Sequence, residues 1–144
     1  MRALRQRHSR IIAIATTALL VLAAVAYAAT SGNYKGRTSQ HQNITFQVSH
    51  SSVKNLAFKI VDKCPNGDQL NETVSGFPSI SISHSKFGGT FDPNDPTQPT
   101  VVSGKFSSST KASGSLKDTS RNSSTGQLCK GSATFKASYV KPHH

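Results

Sequence analysis

The stretch Cys129-Lys-Gly-Ser-Ala-Thr-Phe-Lys-Ala137 decides the fold, because apolar or small residues alternate along it with Lys, Ser and Thr. Side chains of a β-strand point alternately to its two faces, so this pattern predicts a strand with one buried and one solvated face. The same alternation recurs at residues 44–48, 56–64, 79–83, 102–106 and 112–116. The helical spacing of 3.6 residues recurs in no window longer than about ten residues after the N-terminal segment.

The segments between these alternating runs carry turn-forming residues. Pro65-Asn-Gly-Asp68 predicts a tight turn, and Gly88-Gly89 predicts a bulge that interrupts a strand. Residues 92–99 contain three prolines and are expected to form an exposed loop. Residues 118–126 are polar throughout and are expected to form a second loop before the last strand.

Short strands separated by regular turns favour an all-β fold. We predict that residues 29–144 form one antiparallel β-sandwich domain of about seven to nine strands, with a small closed barrel as the alternative. The chain has 144 residues, no Trp and two cysteines, which excludes a multidomain enzyme, a polytopic membrane protein and a cysteine-dense scaffold.

The N-terminus has the features of a helical export signal. Four arginines and no acid lie in residues 1–10, and residues 11–29 carry no charge. Ala26-Tyr27-Ala28 has the small–x–small pattern of a signal peptidase site, so residues 1–28 are predicted to be a signal peptide cleaved after Ala28. The alternative is an uncleaved membrane anchor through residues 11–29, since 19 residues of helix are just long enough to span a bilayer core.

Cys64 and Cys129 are the only cysteines of the chain. An even number of cysteines in an exported protein predicts a disulfide bond. A CxxC redox motif is absent, and neither cysteine has a second thiol nearby in the sequence with which to bind zinc. Both cysteines continue the apolar parity of their strands, so we predict a Cys64–Cys129 disulfide inside the sandwich.

The sequence singles out no catalytic, cofactor-binding or metal-binding residues. It has no Gly-x-Ser-x-Gly elbow, and chance alone places histidines beside serines in so serine-rich a chain. Nothing in the sequence distinguishes two of the six acids as a catalytic pair. Asp92 and Asp95 are interpreted as turn residues rather than calcium ligands, and His143-His144 as a frayed tail rather than a metal site.

The balance of charge is the one global feature with functional content. Four of the 17 basic residues lie in the leader, which leaves 13 basic against 6 acidic residues and a formal charge of +7. Such a protein attracts polyanions, among them acidic envelope polymers, anionic lipid and nucleic acid. The cations are spread singly along the sequence, which favours plain surface solvation, and nucleic acid is disfavoured because stacking aromatics do not accompany them.

The order of motifs resembles small secreted β-rich proteins of actinobacteria that begin with Gly-x-Tyr-x-Gly-x-Thr-x-Gln and carry one cysteine pair. Here that start is Gly32-Asn-Tyr-Lys-Gly-Arg-Thr-Ser-Gln40, and the likeness extends over most of residues 32–137. The resemblance implies export, a β-sandwich and a bond between Cys64 and Cys129. It implies no substrate.

Three hypotheses for function follow from these patterns. The first is an exported, non-enzymatic binding or structural module, secreted or associated with the cell envelope. The alternatives are an extracellular hydrolase whose site is scattered along the sequence, and a cationic module that binds anionic envelope polymers. The distribution of lysines over the folded surface bears on the third, because lysines gathered on one sheet face would favour a polyanion partner.

Overall fold

The computed structural model describes residues 26–92 and 95–142, and these residues form nine β-strands without any helix. The strands are β1 (Gly32–Thr38), β2 (Asn43–Ser49), β3 (Ser52–Lys63), β4 (Gln69–Val74), β5 (Ile80–Ser81), β6 (Lys86–Phe91), β7 (Thr100–Ser108), β8 (Lys111–Arg121) and β9 (Leu128–Tyr139). The all-β prediction is confirmed. Most of the predicted signal peptide, residues 1–25, lies outside the described residues.

The strands form one antiparallel sheet in the order β4-β3-β2-β1-β9-β8-β7-β6, with β5 added beside β3. The sheet bends back on itself, and β3 reaches β9 where Lys63 pairs with Lys130. In the described part of the chain β4 and β6 do not pair with each other, so the sheet keeps two open edges. The result is sandwich-like, and it is not the closed barrel of the alternative prediction.

Aromatic side chains from both halves of the bent sheet fill its interior. Tyr34 of β1 is wholly buried and stacks on Phe46 with ring centroids 5.0 Å apart. The edge of Phe106 meets the Tyr34 ring at 5.7 Å, and Phe46 lies 5.7 Å from Phe87. The Tyr34 hydroxyl donates toward the carbonyl oxygens of Thr30 and Ser109, at 3.0 Å each, so its polar end is also satisfied inside the fold.

Two predicted features are wrong in detail. Gly88 and Gly89 lie in a continuous β6 that pairs with β7 without a register shift, so they form no bulge. A Cβ at Gly88 would lie 2.2 Å from the carbonyl oxygen of Val102, so glycine serves there to let two strands approach closely. Residues 118–121 belong to β8 rather than to the predicted loop, which is limited to residues 122–127.

Other expectations about the connections are confirmed. Asp92 and residues 95–99 lie outside the strands, as the prolines indicate. Strands β1 and β4 were not predicted from the alternation: β1 has glycines at two of its positions, and the inward positions of β4 are only partly buried. None of the described residues belongs to a helix with the length and hydrophobicity needed to cross a lipid bilayer.

Replacing Gly36 by Ala is expected to lower the free energy of unfolding by about 2–3 kcal/mol. The added Cβ would lie 1.9 Å from the carbonyl oxygen of Lys136 and 2.6 Å from the Cα of Ala137, both of them backbone atoms of β9. Chemical denaturation would measure the loss. Gly67→Ala is a poor control because its φ is +93°, whereas Ser132→Ala on the exposed face of β9 is a suitable one and should change stability by less than about 0.5 kcal/mol.

Candidate functional site

The outer face of β1, β9, β8, β7 and β6 is cationic, and we call it the basic face. Its outward positions carry almost only Lys, Arg, Ser and Thr, and none of them carries Asp or Glu. Alternation along each strand turns apolar residues inward and leaves these polar residues in solvent. Eight cations of this face form no ion pair with a described carboxylate: Lys35, Arg37, Lys86, Lys105, Lys111, Lys117, Lys130 and Lys136.

Strand register aligns part of these cations across the sheet. Arg37 of β1 lies opposite Lys136 of β9, and Lys136 lies opposite Ser113 of β8. On the other side of β8, Ser113 lies opposite Lys105 of β7, and Lys105 lies opposite Lys86 of β6. We call these five residues the basic row. Adjacent strands are about 4.8 Å apart, so the row crosses five strands over about 19 Å.

Hydroxyl groups surround the middle of the basic row. Ser103, Ser113 and Ser115 line a shallow depression of about 310 Å³ together with Lys86 and Lys105. Ammonium groups supply charge and hydroxyls supply hydrogen bonds, and both suit the oxygens of phosphate or carboxylate groups. In the described residues the single ion pair joins Arg121, at the end of β8, to Asp95 at 3.9 Å, so none of the eight cations named above is paired with a carboxylate.

The acids lie elsewhere, and two of them meet inside the sandwich. Asp62 of β3 and Asp118 of β8 face one another beside the Cys64–Cys129 disulfide, which the structure forms as predicted. Asp62 is fully buried, and its Oδ2 accepts a hydrogen bond from the Ser120 hydroxyl at 2.5 Å. Asp118 is 6% exposed, and its Oδ1 accepts from the Thr100 hydroxyl at 2.5 Å.

This acid pair holds a proton near neutral pH. Burial raises the pKa of Asp62 from 3.8 to about 7; hydrogen bonding from Ser120 opposes this, and the negative charges of Asp118 and Glu72 add to it. Among the described residues Asp62 Oδ1 has no hydrogen-bond partner. A protonated Asp62 can donate to Asp118, which provides that partner, and two buried carboxylates in contact do not both ionise readily.

The histidines do not join the acids. His41, His50 and His84 lie in exposed turns with left-handed backbone, and the rings of His50 and His84 bond to the preceding serines at 2.9 and 3.0 Å. Within residues 26–92 and 95–142 no three His, Cys, Asp or Glu side chains are arranged to hold a metal ion. His143-His144, interpreted from the sequence as a frayed tail, lie outside the described residues.

Sequence reasoning missed the acid pair, although a signal was present. Leu56, Phe58 and Ile60 define the inward parity of β3, and Asp62 is the next residue on that parity. Asp118 likewise follows Leu116 on β8. An acid on the inward parity of a strand indicates a buried carboxyl, which needs a partner.

The chain was compared with protein-family models, with curated proteins and with solved structures. None of them matches it.

Proposed function

We propose that this protein is an exported, non-enzymatic binding module that holds a linear anionic polymer of the cell envelope on its basic face. One observation carries the proposal: strand register aligns Arg37, Lys136, Lys105 and Lys86 in a row on a face without acids. The predicted signal peptide supports a location where such polymers are found.

The form of the basic row favours a polymer over a small anion. Its cations stand on an open sheet, and only a shallow depression lies beside them. Each exposed lysine near an anionic surface contributes about 1 kcal/mol, so useful affinity requires several contacts at once. A chain of repeating anions running across the strands makes those contacts together, whereas a single phosphate makes one or two.

The chemistry of the face also favours phosphate or carboxylate polymers over single-stranded nucleic acid. The aromatic residues in the strands of the basic face all lie on inward positions: Tyr34, Phe87, Phe106 and Phe135 are buried in the core, and Phe91 and Tyr139 are partly buried against it. The face therefore offers no aromatic platform for base stacking, on which most single-strand binders depend. What remains is charge and hydroxyl groups, which recognise a backbone of repeating anions.

Replacing Lys105 and Lys136 together by Gln is expected to weaken binding to long-chain inorganic polyphosphate by about 30-fold at low salt. The slope of log affinity against log salt concentration should also become shallower by about 1.4, because two contacts with a flexible polyanion are lost. Isothermal titration at several sodium chloride concentrations measures both quantities.

The matched control replaces Lys54 and Lys59, two exposed lysines of β3 outside the basic face, by Gln. Both double variants lower the net charge by two. The proposal expects the β3 variant to bind within about threefold of the unchanged protein, since only long-range attraction is reduced. Equal losses in the two variants would show that net charge, and not the basic row, governs binding.

A further inference from the structure

A groove lies at the open side of the sheet, between its two edges. It is bordered by the end of β4 with residues 75–78, and by the end of β6 with Thr100 of β7. Its volume is about 280 Å³, and we call it the seam groove. This is the part of the sandwich where no strand joins β4 to β6 among the described residues.

Aromatic rings give the seam groove an apolar lining that continues from the core. Phe77 meets Phe91 edge to face at 4.9 Å, and Phe77 stacks on the buried Phe58 at 5.9 Å. Phe77, Phe91 and Val74 are only partly buried, so the apolar surface reaches solvent. An apolar side chain entering the groove would remove this surface from water.

Two strands that each have a free edge, β4 and β6, end at the seam groove. β4 pairs with β3 on one side, and β6 pairs with β7 on one side; no other strand among the described residues pairs with either of them. The unpaired N–H and C=O groups of an edge strand can pair with another extended chain. Val74 and Ser75, at the end of β4, line both the seam groove and the cleft next to it.

The surroundings of the seam groove are acidic, in contrast to the basic face. Asp92 lines the groove itself. Glu72, Asp95 and Asp118 line the adjoining cleft of about 360 Å³, which also shares Thr100 with the groove. Four of the six acids of a strongly basic chain therefore border this side. Asp95 already pairs with Arg121 and Asp118 is buried, so Glu72 and Asp92 are the acids that complement an occupant with positive charge.

We propose that the seam groove binds an extended peptide segment of a partner protein, which pairs with the free edge of β4, inserts an apolar side chain between Phe77 and Val74, and presents a basic side chain to Glu72. Residues two apart in a strand face the same way about 6.8 Å apart, so the recognised pattern is apolar–x–basic. The free edge of β4 binds the peptide backbone, the apolar groove selects the apolar side chain, and the acids beside the groove select the basic side chain two residues further on.

The probe is the peptide acetyl-Thr-Val-Thr-Leu-Thr-Lys-Thr-amide, titrated into the full chain by NMR or calorimetry. Two N-methylated forms of the peptide test strand pairing: one carries N-methyl groups on the odd-numbered residues and the other on the even-numbered residues. The form whose methyl groups block the N–H groups that face β4 should bind at least about tenfold more weakly, and the other form should bind like the parent peptide. A peptide with Glu in place of Lys should also bind at least about tenfold more weakly, because Glu72 and Asp92 would repel its carboxylate.

Matched variants of the protein locate the site. Glu72→Gln is expected to weaken binding of the lysine-containing peptide about threefold. Asp68 is an exposed acid outside the groove and the cleft, so Asp68→Asn should leave that binding unchanged. The Lys105→Gln/Lys136→Gln variant should bind the peptide normally, which separates this proposal from polyanion binding. Equal binding by both N-methylated forms, equal binding by the Glu peptide, or no binding at millimolar concentration would overturn it.

Discussion

Reducing the Cys64–Cys129 disulfide is expected to lower the free energy of unfolding by about 4 kcal/mol. The bond closes a loop with a sequence separation of 65 residues, so it removes much of the conformational entropy of the unfolded chain. It also joins the end of β3 to the start of β9, where the two halves of the bent sheet meet. Urea denaturation with and without a phosphine reductant measures the difference.

A variant with both Cys64 and Cys129 replaced by Ala is the control for the reductant. Its free energy of unfolding should lie within about 1 kcal/mol of that of the reduced protein, and its urea midpoint should not change when the reductant is added. An unchanged midpoint on reduction of the native protein, with both thiols shown to be free by alkylation, would refute a stabilising role for the bond.

Stability is expected to fall as the pH rises from about 4 to about 8, by up to about 4 kcal/mol. The pKa of Asp62 is about 7 in the folded protein and 3.8 in its ordinary state. Between these values the folded state binds one more proton than the unfolded state, so each increase in pH favours unfolding. The contribution of Asp62 to the free energy of unfolding is fully present below its pKa in the unfolded state, 3.8, and is lost once the pH rises past its pKa in the folded state, about 7.

Asp62→Asn should remove most of this dependence. The amide can donate to Asp118 and accept from Ser120 without any ionisation, so the variant should be about 2 kcal/mol more stable than the unchanged protein at pH 8. Denaturant midpoints across the pH range measure the effect. Asp92→Asn is the matched control, because Asp92 is exposed, and its profile should parallel that of the unchanged protein. A native profile that is flat between pH 4 and 8 would contradict the shared proton.

The alternation was sufficient to predict β2, β3, β7, β8 and β9, because in each of them apolar or small residues alternate with polar ones over several successive positions. It was insufficient for β1, whose inward positions carry one apolar side chain, that of Tyr34, followed by Gly36 and Thr38. It also missed most of β4, since an edge strand buries its inward residues only partly. Packing, rather than local pattern, determines these two strands.

The candidate sites depended on information that the sequence does not contain locally. Lysines spaced singly along the chain become a row only when hairpin registers bring Lys86, Lys105 and Lys136 to one level, and those registers follow from the whole set of turns. Asp118 was interpreted as part of a loop because it begins the polar stretch of residues 118–126. Its burial becomes favourable only with Thr100 and Asp62 beside it, and these residues are distant in sequence.

The central claim is that the basic face, through its basic row, holds a linear polyanion, and mapping the contact by NMR tests it most directly. In a titration of the isotope-labelled protein with inorganic polyphosphate, the largest shifts are expected at Arg37, Lys86, Lys105, Ser113 and Lys136, and Lys54 and Lys59 on β3 should remain nearly unperturbed. Shifts that are equal over all exposed lysines, or that are concentrated on β3, would contradict the account.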